Sequence, residues 1–129
     1  IDLGIVIKDS NASLAFYRDL LGFEHIADTP LSGAVPATMH RLRCGDTMIK
    51  LVSHDETPSA EAPPGGIGGA TGIRYFTMQI TNLAEATNAC RDAGVKVIID
   101  QREIRPGVSI SMVADPDGNW VEFVDDTTL

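Results

Sequence analysis

The chain has 129 residues, of which 43% are apolar and 22% charged, with a net charge of −8. That length suits one domain with its own core and is too short for two independent ones. The acidity and the lack of a Lys/Arg cluster argue against nucleic acid as a partner, and no apolar run approaches the ~20 residues that span a bilayer.

Cys44 and Cys90 have no CxxC spacing, so they give neither a disulfide framework nor a thiolate metal site. The start lacks a basic stretch followed by an apolar one, so no secretory leader is read there and a reducing cytoplasm is the expected setting. The numbering starts at Ile1, so an upstream residue or tag is expected to precede it.

Residues 3 to 8, LGIVIK, are rich in β-branched side chains and predict a strand. Asp9-Ser10-Asn11 supplies cap chemistry for a helix that carries Leu14, Tyr17, Arg18 and Leu21 at helical spacing and stops at Gly22. Phe23 to Ala27 reads as extended, and Pro30 to Pro36 as a turn-rich connection. Met39 to Cys44 and Thr47 to Ser53 then flank Gly45-Asp46 as a hairpin. His54 to Gly72 is rich in Pro, Gly, Ser and Ala and has no hydrophobic period, which predicts a mobile join or a functional loop. Its GGIGG run lacks the Lys-Ser/Thr of a phosphate loop.

The same order then recurs. Ile73 to Ile80 predicts a strand, and Asn82 with Glu85 a capping pair for a helix running to Gly94. Val95 to Asp100, Val108 to Ala114 and Asn119 to Val124 predict three more strands, the last two joined by an Asp115-Pro116-Asp117-Gly118 turn. Gly22-Phe23 and Gly94-Val95 occupy matching places, as do Asp28 and Asp100, so the chain reads as a weak internal repeat. The expected organisation is a single α+β domain of two βαβββ units, residues 1–53 and 73–129, joined by 54–72.

Two stretches carry a family resemblance. DSNASLAFYRDLLGFE, residues 9 to 24, resembles the opening helix of the vicinal oxygen chelate superfamily, which includes glyoxalases, bleomycin resistance proteins and extradiol dioxygenases. DPDGNWVEF, residues 115 to 123, is similar to that family's ending, and the duplicated βαβββ plan is also theirs. The resemblance implies curved mixed sheets forming a cup for a small molecule, commonly in a homodimer.

It also implies ligands for a divalent metal on the first and last strands of each unit. Residue by residue, those places fall on Asp2, Lys50, Tyr75 and Glu122, with Arg74 in place of Tyr75 if the register is one residue out. Glu122 suits a metal and Asp2 is short for it. An ammonium has no lone pair to give, and neutral Tyr and Arg are poor or impossible ligands. The expectation is therefore no bound catalytic metal and no other cofactor.

Alternation along the strands groups Met48, Val52 and His54 with Lys50, Trp120 and Val124 with Glu122, and Thr77 and Gln79 with Tyr75. That mixture of apolar wall and a few polar groups is what a small-molecule pocket needs. Lys50 and Glu122 are the candidate catalytic pair, with Tyr75, Trp120, Gln79, His54 and Met48 as substrate contacts. The competing reading is an inert ion pair filling a vestigial site.

Arg41 and Arg43 read as solvent-side arginines, His25 and His40 as isolated, and both cysteines as packing residues. Three functions stay open. One is a metal-independent isomerase or lyase acting on a small carbonyl or carboxylate compound. The others are a non-catalytic protein that sequesters a drug or metabolite, and a metal-dependent lyase or dioxygenase whose ligands lie one residue away from those named.

Overall fold

The computed structural model describes all 129 residues, and the chain divides into two compact units, Ile1–Glu61 and Ala62–Leu129. In unit one, β1 (Asp2–Ile7) is followed by a short α1 (Ser10–Leu14) that widens into π-helical turns over Ala15–Leu20. β2 (Glu24–Leu31), β3 (Ala37–Cys44) and β4 (Thr47–His54) complete it. In unit two, a 3-10 turn (Gly66–Gly68) precedes β5 (Tyr75–Gln79), α2 (Leu83–Asp92), β6 (Val97–Arg105), β7 (Val108–Ala114) and β8 (Trp120–Asp126).

Each unit forms a four-stranded mixed sheet with the same plan. The orders are β1-β4-β3-β2 and β5-β8-β7-β6, and in both the first strand runs parallel to the last while the other pairs are antiparallel. The repeat seen in the sequence extends to register. Asp2 lies opposite Met48 and Gly4 opposite Lys50, just as Tyr75 lies opposite Trp120 and Thr77 opposite Glu122. No helix is long and apolar enough to cross a membrane.

One face of each sheet is covered by its helical segment. In unit one Leu42, Ile49 and Leu51 are buried, as are Phe16 and Tyr17, whose rings pack edge to face at 4.7 Å. The Leu21 N–H bonds to the Phe16 carbonyl at 3.0 Å, five residues back. That wider turn lets consecutive Phe16 and Tyr17 both point inward, which a 3.6-residue period does not favour. In unit two, Val113, Val121 and Phe123 bury with Leu83 and Cys90 of α2. The Thr87 and Ser111 hydroxyls bond to each other at 2.7 Å inside that layer, and Thr87 also donates to the Leu83 carbonyl.

The caps separate the two helices. Asp9 Oδ1 accepts from the Asn11 and Ala12 N–H groups, as its position before α1 predicts. Asn82 makes no side-chain cap bond, so the capping pair expected with Glu85 does not form. The acidic turn before β8 is held by Asp115, 5% exposed, whose Oδ1 accepts from the Asp117 and Asn119 N–H groups at 2.9 and 2.8 Å.

Part of the glycine-rich segment, which composition reads as a mobile join or a functional loop, is tied to unit two. Arg74 Nε donates to the Gly66 carbonyl and Nη2 to the Pro63 carbonyl, both at 2.8 Å. A Cβ on Gly66 would lie 2.2 Å from Cζ2 of Trp120, so the segment is seated directly on that ring. Glycine is required there for close approach as well as for its φ of +64°.

Candidate functional site

On the face of the unit-one sheet turned away from α1, alternation aligns Asp2, Met48, Lys50, Val52, His54 and Arg41. Lys50 Nζ lies 3.4 Å from Oδ2 of Asp2. Arg41 stands directly opposite Lys50 in the β3–β4 ladder. Its Nε is buried without a hydrogen-bond partner, and so is Nδ1 of His54. Arg41 is therefore not the solvent-side arginine the sequence suggested. Arg43, by contrast, is exposed and lies 3.7 Å from Glu24.

Directly opposed like charges destabilise a strand pair. An orphaned buried donor costs a further ~1–3 kcal/mol. Both penalties fall at one spot, beside Lys50, and an anion held there would relieve both.

The matching face of unit two carries Tyr75, Thr77 and Gln79 of β5 beside Trp120, Glu122 and Val124 of β8. Thr77 Oγ1 donates to Oε1 of Glu122 at 2.7 Å, which orients the carboxylate and occupies one of its oxygens. Tyr75 is 43% exposed and Gln79 is exposed, so neither is a core residue. Trp120 already has Gly66 against its ring, so this part of the expected ligand wall is covered by the chain itself.

The family model of the Glyoxalase/Bleomycin resistance protein/Dioxygenase superfamily matches residues 2–123. The chain belongs to this superfamily. It is 26% identical over 124 residues to the uncharacterized protein YwbC of Bacillus subtilis (strain 168), covering 93% of this chain and 91% of that one. Among solved structures it is similar to the glyoxalase family protein APC24694 from Bacillus cereus, with a TM-score of 0.85 at 11% identity over 96% of this chain and 91% of that one. It is also similar to lactoylglutathione lyase from Agrobacterium tumefaciens, with a TM-score of 0.68 at 24% identity over 97% and 91% of the two chains. These likenesses establish the α+β glyoxalase fold.

The metal-ligand positions that the resemblance implies fall on Asp2 and Lys50 in unit one and on Tyr75 and Glu122 in unit two. The unit-one pair does not fit a divalent ion. The Lys50 ammonium offers no lone pair, and it sits against the carboxylate of Asp2, the only other unit-one candidate. A shift of one residue does not repair the set, because Arg74 is committed to the carbonyls of Pro63, Pro64 and Gly66.

Sequence reasoning missed a second polar cluster in unit one. His25, Asp28 and His40 converge, with His25 Nε2 2.6 Å and His40 Nδ1 2.8 Å from Oδ1 of Asp28. The bonds from His40, and then from His25, hold the Asp28 carboxyl below its ordinary value. Burial raises the thiols of Cys44 and Cys90 above their ordinary value.

Proposed function

We propose that this chain takes a small carbonyl or carboxylate compound without a metal at the superfamily's usual position. The unit-one face supplies the cationic hold that the metal gives elsewhere. Lys50 carries the charge, Arg41 and His54 add unpartnered nitrogens, and Met48 and Val52 give an apolar floor. The observation that carries this reading is the conjunction of Lys50 and Arg41, cross-strand partners, with the orphaned Arg41 Nε.

In its enzymatic form the protein is an isomerase or lyase. Proton transfer then falls to Glu122, whose carboxylate Thr77 orients, while Tyr75, Gln79 and Trp120 are contact candidates. In its non-catalytic form the protein sequesters an anionic metabolite or drug, and the cationic face alone suffices. A homodimer, a single domain and a cytoplasmic setting complete the proposal.

Thermal-shift titration with pyruvate, oxalate and sulfate tests the hold. Lys50→Met is expected to weaken the tightest of these at least tenfold, corresponding to about 1.4 kcal/mol. Unchanged affinity sinks Lys50 as the anchor. For a carbonyl compound that is turned over, Glu122→Gln should abolish turnover and retain binding. If turnover persists, Glu122 is not the base.

A further inference from the structure

We infer that His25, Asp28 and His40 form a binding site for a divalent transition metal, separate from the superfamily's metal position and from the face that carries Lys50. The three offer two imidazole nitrogens and a carboxylate oxygen, all within 4.8 Å of one another. Mixed nitrogen and oxygen donors of this kind select ions such as zinc or cobalt over magnesium or calcium.

The local backbone brings this set together. His25 and Asp28 are three residues apart on one strand, a spacing that puts side chains on opposite faces of a regular strand. The β2–β3 register shifts between His25 and Ala27, and the extra residue at Ile26 turns His25 onto the face that carries Asp28. Asp28 is the cross-strand partner of His40, so the bulge completes a three-residue set. Bulges commonly re-aim side chains in this way beside functional sites.

The surroundings match what a ligating histidine needs. His40 is 7% exposed, and its Nε2 lies 2.8 Å from the Ser10 hydroxyl. A hydroxyl can accept as well as donate, so Ser10 can take the His40 N–H when Nδ1 binds an ion. Such outer partners fix the tautomer and orientation of metal-bound imidazoles.

At His25 the outer partner has the opposite sense. Arg18 Nη1 lies 3.4 Å from Nδ1 of His25 and can only donate, which keeps the ring proton on Nε2, facing Asp28. Arg18 is exposed and tied to Asp19. An ion on Nε2 moves the ring proton to Nδ1 and displaces Arg18. With metal–ligand distances of about 2.0–2.2 Å, tetrahedral ligands sit roughly 3.4 Å apart. The Asp28 side chain, 51% exposed, supplies the outward movement from the present 2.6 and 2.8 Å.

Cobalt(II) added to the chelator-treated protein provides the test, read by visible absorption and competed with zinc. One equivalent is expected to bind and to be released again by excess chelator. His40 is buried, so the two less buried members are varied instead. His25→Ala and Asp28→Asn should each weaken binding by more than about 100-fold, beyond the 10–100-fold range of outer partners. Arg18→Ala should tighten it. Lys50→Met and Glu122→Gln should leave it unchanged, so failure here is separable from failure of the proposed function. A wild-type protein that takes up no cobalt, or a His25→Ala protein that binds it as the wild type does, overturns the site.

Discussion

The two units share one topology and one register, yet their corresponding sheet faces have opposite chemistry. At the matched position of the last strand, unit one has Lys50 and unit two has Glu122. In unit one the cation is set between a carboxylate 3.4 Å away and a second cation across the strand. In unit two the carboxylate is tied to a neutral hydroxyl, and the adjacent indole is covered by the chain's own glycines. A duplicated framework thus fixes where side chains stand and leaves their charge free to diverge. The unit-one face retains unsatisfied donors, while the unit-two face has been partly filled from within.

The largest expected effect breaks that covering. Gly66→Val places side-chain atoms inside the Trp120 ring at a positive φ, and should cost about 2–3 kcal/mol, toward the top of the overpacking range. Thermal unfolding reads the loss. Fluorescence of Trp120, the only tryptophan, should shift to the red as the ring is uncovered. An unchanged melting temperature and spectrum would mean that the glycines do not seat on Trp120.

A smaller effect sharpens the unit-one side. Asp2→Ala removes an exposed ion pair and should change stability by less than about 1 kcal/mol. It also frees the Lys50 ammonium, so pyruvate or sulfate should bind several-fold tighter in the same thermal-shift titration. Weaker binding would show that Asp2 positions Lys50 rather than competing for it.

The smallest effect is a pH dependence in unit one. The folded-state Asp28 carboxyl is lowered by His40 and His25. Its contribution is therefore present above the unfolded value of about 3.9 and lost as pH falls through the lower folded value. With metal removed by chelator, the stability gap between wild type and Asp28→Asn should narrow as pH falls below about 4. The carboxylate is half exposed, so solvent screening keeps the gap small. A gap that widens toward low pH contradicts the network.

Much of this architecture was legible because it follows from local pattern. Alternation and turn residues located all eight strands, β7 to the residue. The cap at Asp9 and the Asp115 turn rest on short-range hydrogen bonds that side-chain type predicts. What escaped depended on non-local geometry. Pro/Gly-rich composition is common to a mobile linker and to a segment needing close approach, so only the contact of Gly66 with Trp120 separates them. The His25–Asp28–His40 cluster was hidden because nothing at Ile26 marks a bulge, and a regular strand would have set His25 apart from Asp28. Arg41 was read by residue type as solvent-facing, whereas its position opposite Lys50 determines its surroundings.

Under the proposed function, the positions implied for the superfamily's metal hold none in this chain. The most direct measurement is cobalt(II) titration of Glu122→Gln beside the wild-type protein. Glu122 is the one strong ligand candidate left in that set. Identical stoichiometry and affinity are expected for the two proteins. Loss of a bound equivalent in Glu122→Gln, with His25→Ala unaffected, would contradict the proposal and return the protein to the metal-dependent members of its superfamily.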